Sequence, residues 1–423
     1  MRLLRTAVAL AALSAAGVVA AVHILRSPQR SPAATPRPEA PNARAAGAGA
    51  KRWLFRIAGL LAVLGLGGLL VAASGIIPIK ASSGHWAITR WFLNFSKERS
   101  VSTHTLGLEV PSLDEPWLVL KGAGHYETGC RPCHGNPAVP QPRVAWKMTP
   151  SPPYLPPRIS KWEPDELFYI VKHGIKFTGM PAWPAVGRDD EVWAMVAFLR
   201  SFPELGAEEY RRLAQGDAVP TGAVAPLRDL MGPESVVRAI ATSCARCHGV
   251  DGLGRGLGAF PKLAGQRPAY LFASLQAFAR GERHSGIMQP IAAGLSQEEM
   301  RELARYYGSL QEPSPSRPHQ DTALAMERGR AIADRGIPSQ RVPSCADCHG
   351  PGATRRNPLY PELAGQYADY LLLQLVLFKK EHRGGTNYAH LMRQAAAGLT
   401  PEQMRDVALY YASLPAAVAP PTR

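Results

Sequence analysis

CARCHG at 244–249 sets the reading of this chain, because the same grouping returns as CADCHG at 345–350 and as CRPCHG at 130–135. The chain holds six cysteines, and these three pairs use all of them: Cys130/Cys133, Cys244/Cys247 and Cys345/Cys348. A histidine follows each pair at once: His134, His248 and His349. Two thiols one helical turn apart can add to the two vinyl groups of a haem as thioethers. The next residue is then held below the iron as an axial ligand. A thioredoxin-like redox pair needs no histidine after it, three times over. A zinc site would bring two pairs together with no ligand left over. A disulfide framework belongs to small secreted domains, and 423 residues can bury ordinary cores. The spacing therefore predicts three covalently bound haem c groups.

Outward from the second and third motifs the sequence repeats itself. PKLAGQ at 261–266 answers PELAGQ at 361–366, and Tyr270-Leu271 answers Tyr370-Leu371. MQPIAAGLSQEEMRELARYYGSL at 288–310 answers MRQAAAGLTPEQMRDVALYYASL at 392–414. The period is about 101 residues, one compact domain per unit. Each unit runs helix, C-x-x-C-H, loop, methionine, helix. The last helix shows an apolar stripe each time: Val192, Met195, Val196 and Leu199; Met300, Leu303, Ala304 and Tyr307; Met404, Val407, Ala408 and Tyr411. Ser296 with Glu299 forms a capping box, and Thr400 caps the third unit's helix with Pro401 in its first turn. No stretch alternates as a long strand would, so the fold class is mostly α.

This pattern resembles class I cytochrome c domains. Residues 233–414 resemble the tandem dihaem class I cytochromes, through C-x-x-C-H-G, P-x-L-A-G-Q, the Tyr-Leu pair and the methionine before the last helix. Residues 115–205 resemble monohaem class I domains, through Cys130 to His134 and GMPAW at 179–183. The resemblance implies three class I cytochrome c-like helical domains at 115–205, 233–312 and 320–415, with a linker at 206–232. It implies a sixth iron ligand just before each last helix: Met180, Met288 and Met392, 40 to 46 residues after the motif histidine. Met148, His284 and His390 are the rivals. Met195, Met300 and Met404 lie inside the stripes and read as core. A prolyl carbonyl is expected to accept the proximal histidine's other N–H, from Pro261 and Pro361 in the repeat. In the first domain the loop 149–157 holds several prolines and offers no choice among them. Trp183, Tyr270 and Tyr370 are candidates to line haem pockets.

The N-terminal region is of another kind. Residues 57–79 carry no charge and are long enough to cross a bilayer, predicting an N-terminal transmembrane helix. Lys51, Arg52 and Arg56 precede them; Trp86, Trp91, Phe92 and Phe95 follow, as an interfacial aromatic belt would in the linker 80–114. Residues 1–56 form a basic, Pro/Ala-rich extension. Its apolar run 7–25 reads as a signal, as a further span, or as an artefact of the start site, with translation beginning downstream of Met1. The net charge of +15 does not call for nucleic acid: residues 1–56 hold nine basic residues and one acidic, and the other 367 hold 39 and 32. The basic excess gathers beside the apolar segments, which is the pattern of membrane topology.

A histidine and a methionine on every iron leave no open position, so the chain reads as an electron carrier and not an enzyme. Haem is attached outside the cytoplasm, which places these domains in the periplasm, anchored to a bacterial inner membrane. The expected function is electron transfer in a respiratory chain towards a terminal oxidase. The alternative is the cytochrome subunit of a membrane-bound alcohol, aldehyde or sugar-acid dehydrogenase that passes electrons to quinone. A peroxidase would need a displaceable sixth ligand, against which the three methionines argue. The partners expected are thus a terminal oxidase or a quinol or dehydrogenase complex.

Overall fold

The computed structural model describes residues 43–216, 243–256, 258–310, 322–350 and 356–415. The apolar run 7–25, most of the stretch 206–232 and the helix expected before Cys244 lie outside the described residues. The chain divides into two compact units, Met1–Ile79 and Lys80–Arg423.

Among its described residues the first unit contains one helix, α1 (Ala43–Ala73). Its part Lys51–Ala73 is long and apolar enough to cross a membrane. The span expected at 57–79 therefore needs correcting at its end. The helix stops at Ala73, the Ser74 hydroxyl donates to the Val71 carbonyl at 2.7 Å, and Gly75 turns away in the left-handed region. A glycine there ends a helix, and Pro78 cannot resume it.

The second unit is built of helices. Among its described residues the only β pairing is an isolated bridge between Ile337 and Val342. Helix α2 (Ala87–His104) carries Ile88, Trp91, Phe92 and Phe95 on one exposed stripe, at spacings of three and four. The second half of α2 is no free linker. Val101 is buried, the Ser102 hydroxyl donates to Glu166 at 2.7 Å, and the His104 ring stacks on Tyr169 at 5.4 Å.

In the first haem domain α3 (Pro116–Gly129) crosses α5 (Asp189–Ser201), and α4 (Pro164–His173) packs beside them. Local sequence explains each start. Pro116 and Pro164 sit at first-turn positions, where a missing N–H is no loss. Glu163 and Glu166 make a reciprocal capping box, and three acidic residues open α5. The stripe Val192, Met195, Val196 and Leu199 is buried, against Tyr126 and Phe202. Helix α6 (Ala207–Gln215) corrects the expected linker at 206–232. Tyr210 and Ala214 are fully buried in that same core, so this stretch belongs to the first domain. Its composition of charged residues hid two inward positions four apart.

In the second domain α7 (Pro268–Ala279) packs on α8 (Gln297–Ser309). In the third, α9 (Ala323–Arg335) and α10 (Ala368–Lys379) pack on α11 (Pro401–Ser413). Both capping boxes form, with Gln403 completing the one at Thr400. Met195, Met300 and Met404 are each 1% exposed and are core.

The repeat motif is also the joint between the second and third domains. The Lys262 N–H donates to Gln366 Oε1 at 3.0 Å, and Gln366 Nε2 returns a bond to the Lys262 carbonyl at 3.0 Å. Gln266 does the same with Glu362, donating to its carbonyl at 2.9 Å and accepting its N–H at 2.8 Å. Each glutamine amide thus pairs both backbone groups of one residue in the other repeat. Each such bond is worth about 1 kcal/mol net. An ion pair between Arg267 and Glu362 adds to them.

Candidate haem-binding sites

Each C-x-x-C-H forms one short helical turn: Arg131–His134, Ala245–His248 and Ala346–His349. A glycine in the left-handed region ends each turn, Gly135, Gly249 and Gly350, where a β-carbon would be strained. A tyrosine hydroxyl then fixes the glycine carbonyl. Tyr126 reaches Gly135 at 2.7 Å, Tyr307 reaches Gly249 at 3.2 Å and Tyr411 reaches Gly350 at 2.7 Å. Tyr307 and Tyr411 come from the last helix, whereas Tyr126 comes from the first domain's first helix. The sequence showed the first two as stripe residues and gave no sign of their bond.

The three histidines share one arrangement. His248 Nδ1 lies 3.0 Å from the Pro261 carbonyl and His349 Nδ1 lies 3.0 Å from the Pro361 carbonyl. In the first domain the structure selects Pro153, whose carbonyl lies 2.8 Å from His134 Nδ1. A carbonyl can only accept, so Nδ1 carries the proton and Nε2 keeps its lone pair. That tautomer is the one a metal requires. Burial pushes all three imidazoles below their ordinary pKa, against the opposing effect of the prolyl carbonyls. They are held neutral and ready to ligate.

The cysteine environment disfavours a thiolate site. Burial pushes the Cys130 and Cys244 thiols up to about 12. Among the described residues no three His, Cys, Asp or Glu side chains converge as a structural zinc would need.

A largely apolar cavity of about 590 Å³ joins the second and third sites. Cys244, Cys247, His248 and Met288 line it from one repeat; Cys345, Cys348, His349 and Met392 line it from the other. Tyr270 and Tyr370 line it as expected. His390, the rival of Met392, is not among its lining residues, whereas His284 stands there beside Met288.

Sequence reading missed two further lining residues, Arg283 and Arg383, which are 7% and 8% exposed. Arg283 donates to the Tyr270 hydroxyl, to Ser274 and, across the joint, to the Tyr370 hydroxyl at 3.1 Å. Arg383 donates to Gln374 and, across the joint, to the Tyr270 hydroxyl at 3.0 Å. Neither meets a carboxylate among the described residues. The Tyr270 phenol, which burial alone would raise, is pulled below its ordinary value by the two guanidiniums. Two buried cations facing one apolar cavity call for an anionic partner. A haem, apolar across its ring and carrying two propionates, fits that demand. The repeat held the signal: Arg283 and Arg383 are 100 residues apart, the offset of PKLAGQ and PELAGQ.

The first site stands differently. Met180 is half-buried, and its N–H is held by the Thr178 hydroxyl at 3.1 Å. Its rival Met148 lies next to it: a β-carbon on Gly179 would be 2.2 Å from Met148 Cε. The fold therefore brings both methionines together. Trp183 does not line the large cavity. Its indole donates to Glu191 at 3.1 Å and its ring lies 4.8 Å from that of His125.

The first domain also meets the second site directly. A β-carbon on Gly124 of α3 would be 3.0 Å from Cys247 Sγ and from the Phe260 ring. Leu120 packs with Ala259 and Phe260 in a small buried cluster that includes Cys247 at its edge.

Known proteins show the same division. Residues 118–199 match the family described as cytochrome c oxidase, cbb3-type, subunit III, and residues 237–311 and 326–415 match cytochrome c. A thiosulfate dehydrogenase electron acceptor of Thiomonas intermedia is 36% identical over 41% of this chain and 80% of its own length. A protein of the same description from Stutzerimonas stutzeri is 32% identical over 55% of this chain and 94% of its own. Cytochrome c4 of Thiocapsa roseopersicina is 34% identical over 40% of this chain and 86% of its own. The thioether-forming cysteines, the neutral histidines and these relatives agree: the chain is an electron-transfer protein with covalently bound haem c, and it belongs to the multihaem class I c-type cytochromes.

Proposed function

We propose that the chain is a three-haem wire at the periplasmic face of the bacterial inner membrane, carrying electrons towards a terminal oxidase. The three haems are held by Cys130 and Cys133, Cys244 and Cys247, and Cys345 and Cys348. His134, His248 and His349 are the proximal ligands, and Met180, Met288 and Met392 the distal ones. Haem c supplies a one-electron Fe(III)/Fe(II) couple, and a thioether ligand raises its potential relative to a second histidine. The chain's own residues orient the imidazoles, exclude water and place buried cations beside the second and third sites.

One observation carries the direction of the wire. The dihaem half is similar to proteins described as electron acceptors of thiosulfate dehydrogenase, while the first domain is similar to an oxidase subunit. Electrons would enter at residues 243–415 from a periplasmic dehydrogenase and leave through the first domain. The contact of Cys247 with Gly124 supports passage between the two parts. The apolar helix Lys51–Ala73 would anchor the wire, with the aromatic stripe of α2 at the bilayer interface. A second reading rests on the same relatives: the chain is the cytochrome subunit of a membrane-bound dehydrogenase that delivers electrons to quinone.

Purification from native membranes in mild detergent separates the two. Recovery of an oxygen-reducing oxidase that takes electrons through these haems supports the first. Recovery of a dehydrogenase alone, with substrate electrons reaching quinone, replaces it by the second.

The distal ligands have their own test. Single replacement of Met180, Met288 or Met392 by alanine is expected to remove, each time, one haem's share of the thioether-to-iron absorption at the red edge. A spectrum unchanged by Met180→Ala, with loss on Met148→Ala, would transfer that role to Met148.

A further inference from the structure

Helix α5 of the first domain opens with Asp189, Asp190 and Glu191, and the helix dipole alone would explain acidic residues there. Glu191, however, is 2% exposed and turned towards the second domain. Its Oε1 accepts the Ser285 hydroxyl at 2.6 Å and pairs with Arg188 at 2.8 Å. Its Oε2 accepts the Gly286 backbone N–H at 2.7 Å and the Trp183 indole N–H at 3.1 Å. Both oxygens are thus saturated, two of the four bonds by residues of the second domain.

Those two residues belong to the loop that ends at Met288. The Ser285 oxygen accepts the Met288 N–H at 3.0 Å and the Ile287 N–H at 3.3 Å. Arg188 donates to the His284 carbonyl at 2.5 Å and, besides its pair with Glu191, bonds Asp190, which Lys121 also holds at 3.1 Å. The Trp183 indole rests on Gly286, where a β-carbon would be 2.2 Å from Nε1. Loop 284–288 is therefore gripped from the first domain at three successive residues. Glu191, Arg188 and Met288 line the same cavity. At the third site the loop before Met392 lies along the second domain's Glu282 and Arg283, and the first domain's Gly187 faces His382.

We infer that Glu191 is a positioning residue for Met288, acting through Ser285, so that docking of the first domain sets the ligation and potential of the second haem. Hydrogen bonds to a carboxylate are short and roughly twice as strong as neutral ones. Groups that hold a ligand from behind tune its metal. A glutamate buried only to cement two domains would have no reason to close on the residue whose hydroxyl caps Met288. The inference rests on Met288 being the sixth ligand.

The test uses the full chain with its haems in place. Glu191→Gln keeps the size but turns an amide N–H₂ against the Gly286, Trp183 or Arg188 donors. Ser285→Ala removes only the relay hydroxyl, and serves if the glutamine variant does not fold. Each is expected to weaken or shift the same share of the red-edge absorption that Met288→Ala removes, and to move one of the three reduction potentials. Unchanged absorption and three unchanged potentials, with only a lower unfolding midpoint, would reduce Glu191 to an interface residue and overturn the inference. If Met288→Ala itself leaves the absorption intact, the ligand reading fails first, and the inference falls with it for that separate reason.

Discussion

A Gly329→Leu chain is expected to lose its third haem domain as a stable unit. Gly329 is buried in α9 where that helix crosses α11. A β-carbon there would be 2.1 Å from the Asp406 carbonyl oxygen and 3.0 Å from Tyr410 Cβ. The nearest obstacle is backbone, so no side chain can rotate away. The helices would have to separate, and with them the core of Ile332, Ala333, Met404, Val407 and Tyr411. Overpacking of a well-filled core costs about 1–3 kcal/mol, and a rigid obstacle puts this site at or above the upper end. Against a typical domain stability of about 5–15 kcal/mol, that is a large fraction. Gly122→Leu should do the same to the first domain, where the β-carbon would be 2.3 Å from the Ala194 carbonyl oxygen. Gly206→Ala is the control, since nothing lies within 4 Å and its φ is −72°. Denaturant unfolding followed by helicity and haem absorption would show it. An unchanged midpoint for Gly329→Leu would mean that the helices do not cross there in solution.

Replacing Cys345 and Cys348 together by alanine is expected to lower the covalent haem content from three per chain to two. Both thioether bonds of the third site are then absent, and ligation alone must retain the group. The effect should spread beyond that site, because the cavity is shared and Arg283 reaches across to Tyr370. With one anionic partner lost, two buried guanidiniums would compete for what remains, and the unfolding midpoint should fall as well. Mass spectrometry of the denatured chain counts the haems. A parent chain with two haems, or a variant with three, would refute the assignment.

Much of the site was legible because its chemistry is local. Cys244, Cys247 and His248 fall within one helical turn, and covalent attachment demands that spacing whatever the rest of the chain does. Met195, Met300 and Met404 could be set aside as core because a period of 3.6 residues shows which face a helix buries. The capping boxes at Ser296 and Thr400 were readable for the same reason, since donor and acceptor lie three residues apart.

The misreadings arose where the deciding partner is distant in sequence. Residues 207–215 look like a charged connector, and only the burial of Tyr210 and Ala214, with the Tyr210 hydroxyl donating to Glu127 at 2.6 Å, shows that they close the first core. Composition places the span at 57–79 and cannot see that Ser74 and Gly75 end the helix. Pro153 could not be told from its neighbouring prolines, because the choice depends on which carbonyl the folded loop brings to His134.

The sequence by itself determined the cofactor class, the helical fold and the repeat, since all three depend on residues within a turn or on a pattern recurring along the chain. Tertiary structure alone decided how the domains meet: Gln266 and Gln366 exchanging backbone bonds, Arg283 and Arg383 sharing one cavity, and Glu191 closing on Ser285. These contacts join groups about 90 to 110 residues apart. No local spacing records them, because each side chain is an ordinary polar residue until the fold buries it beside its partner.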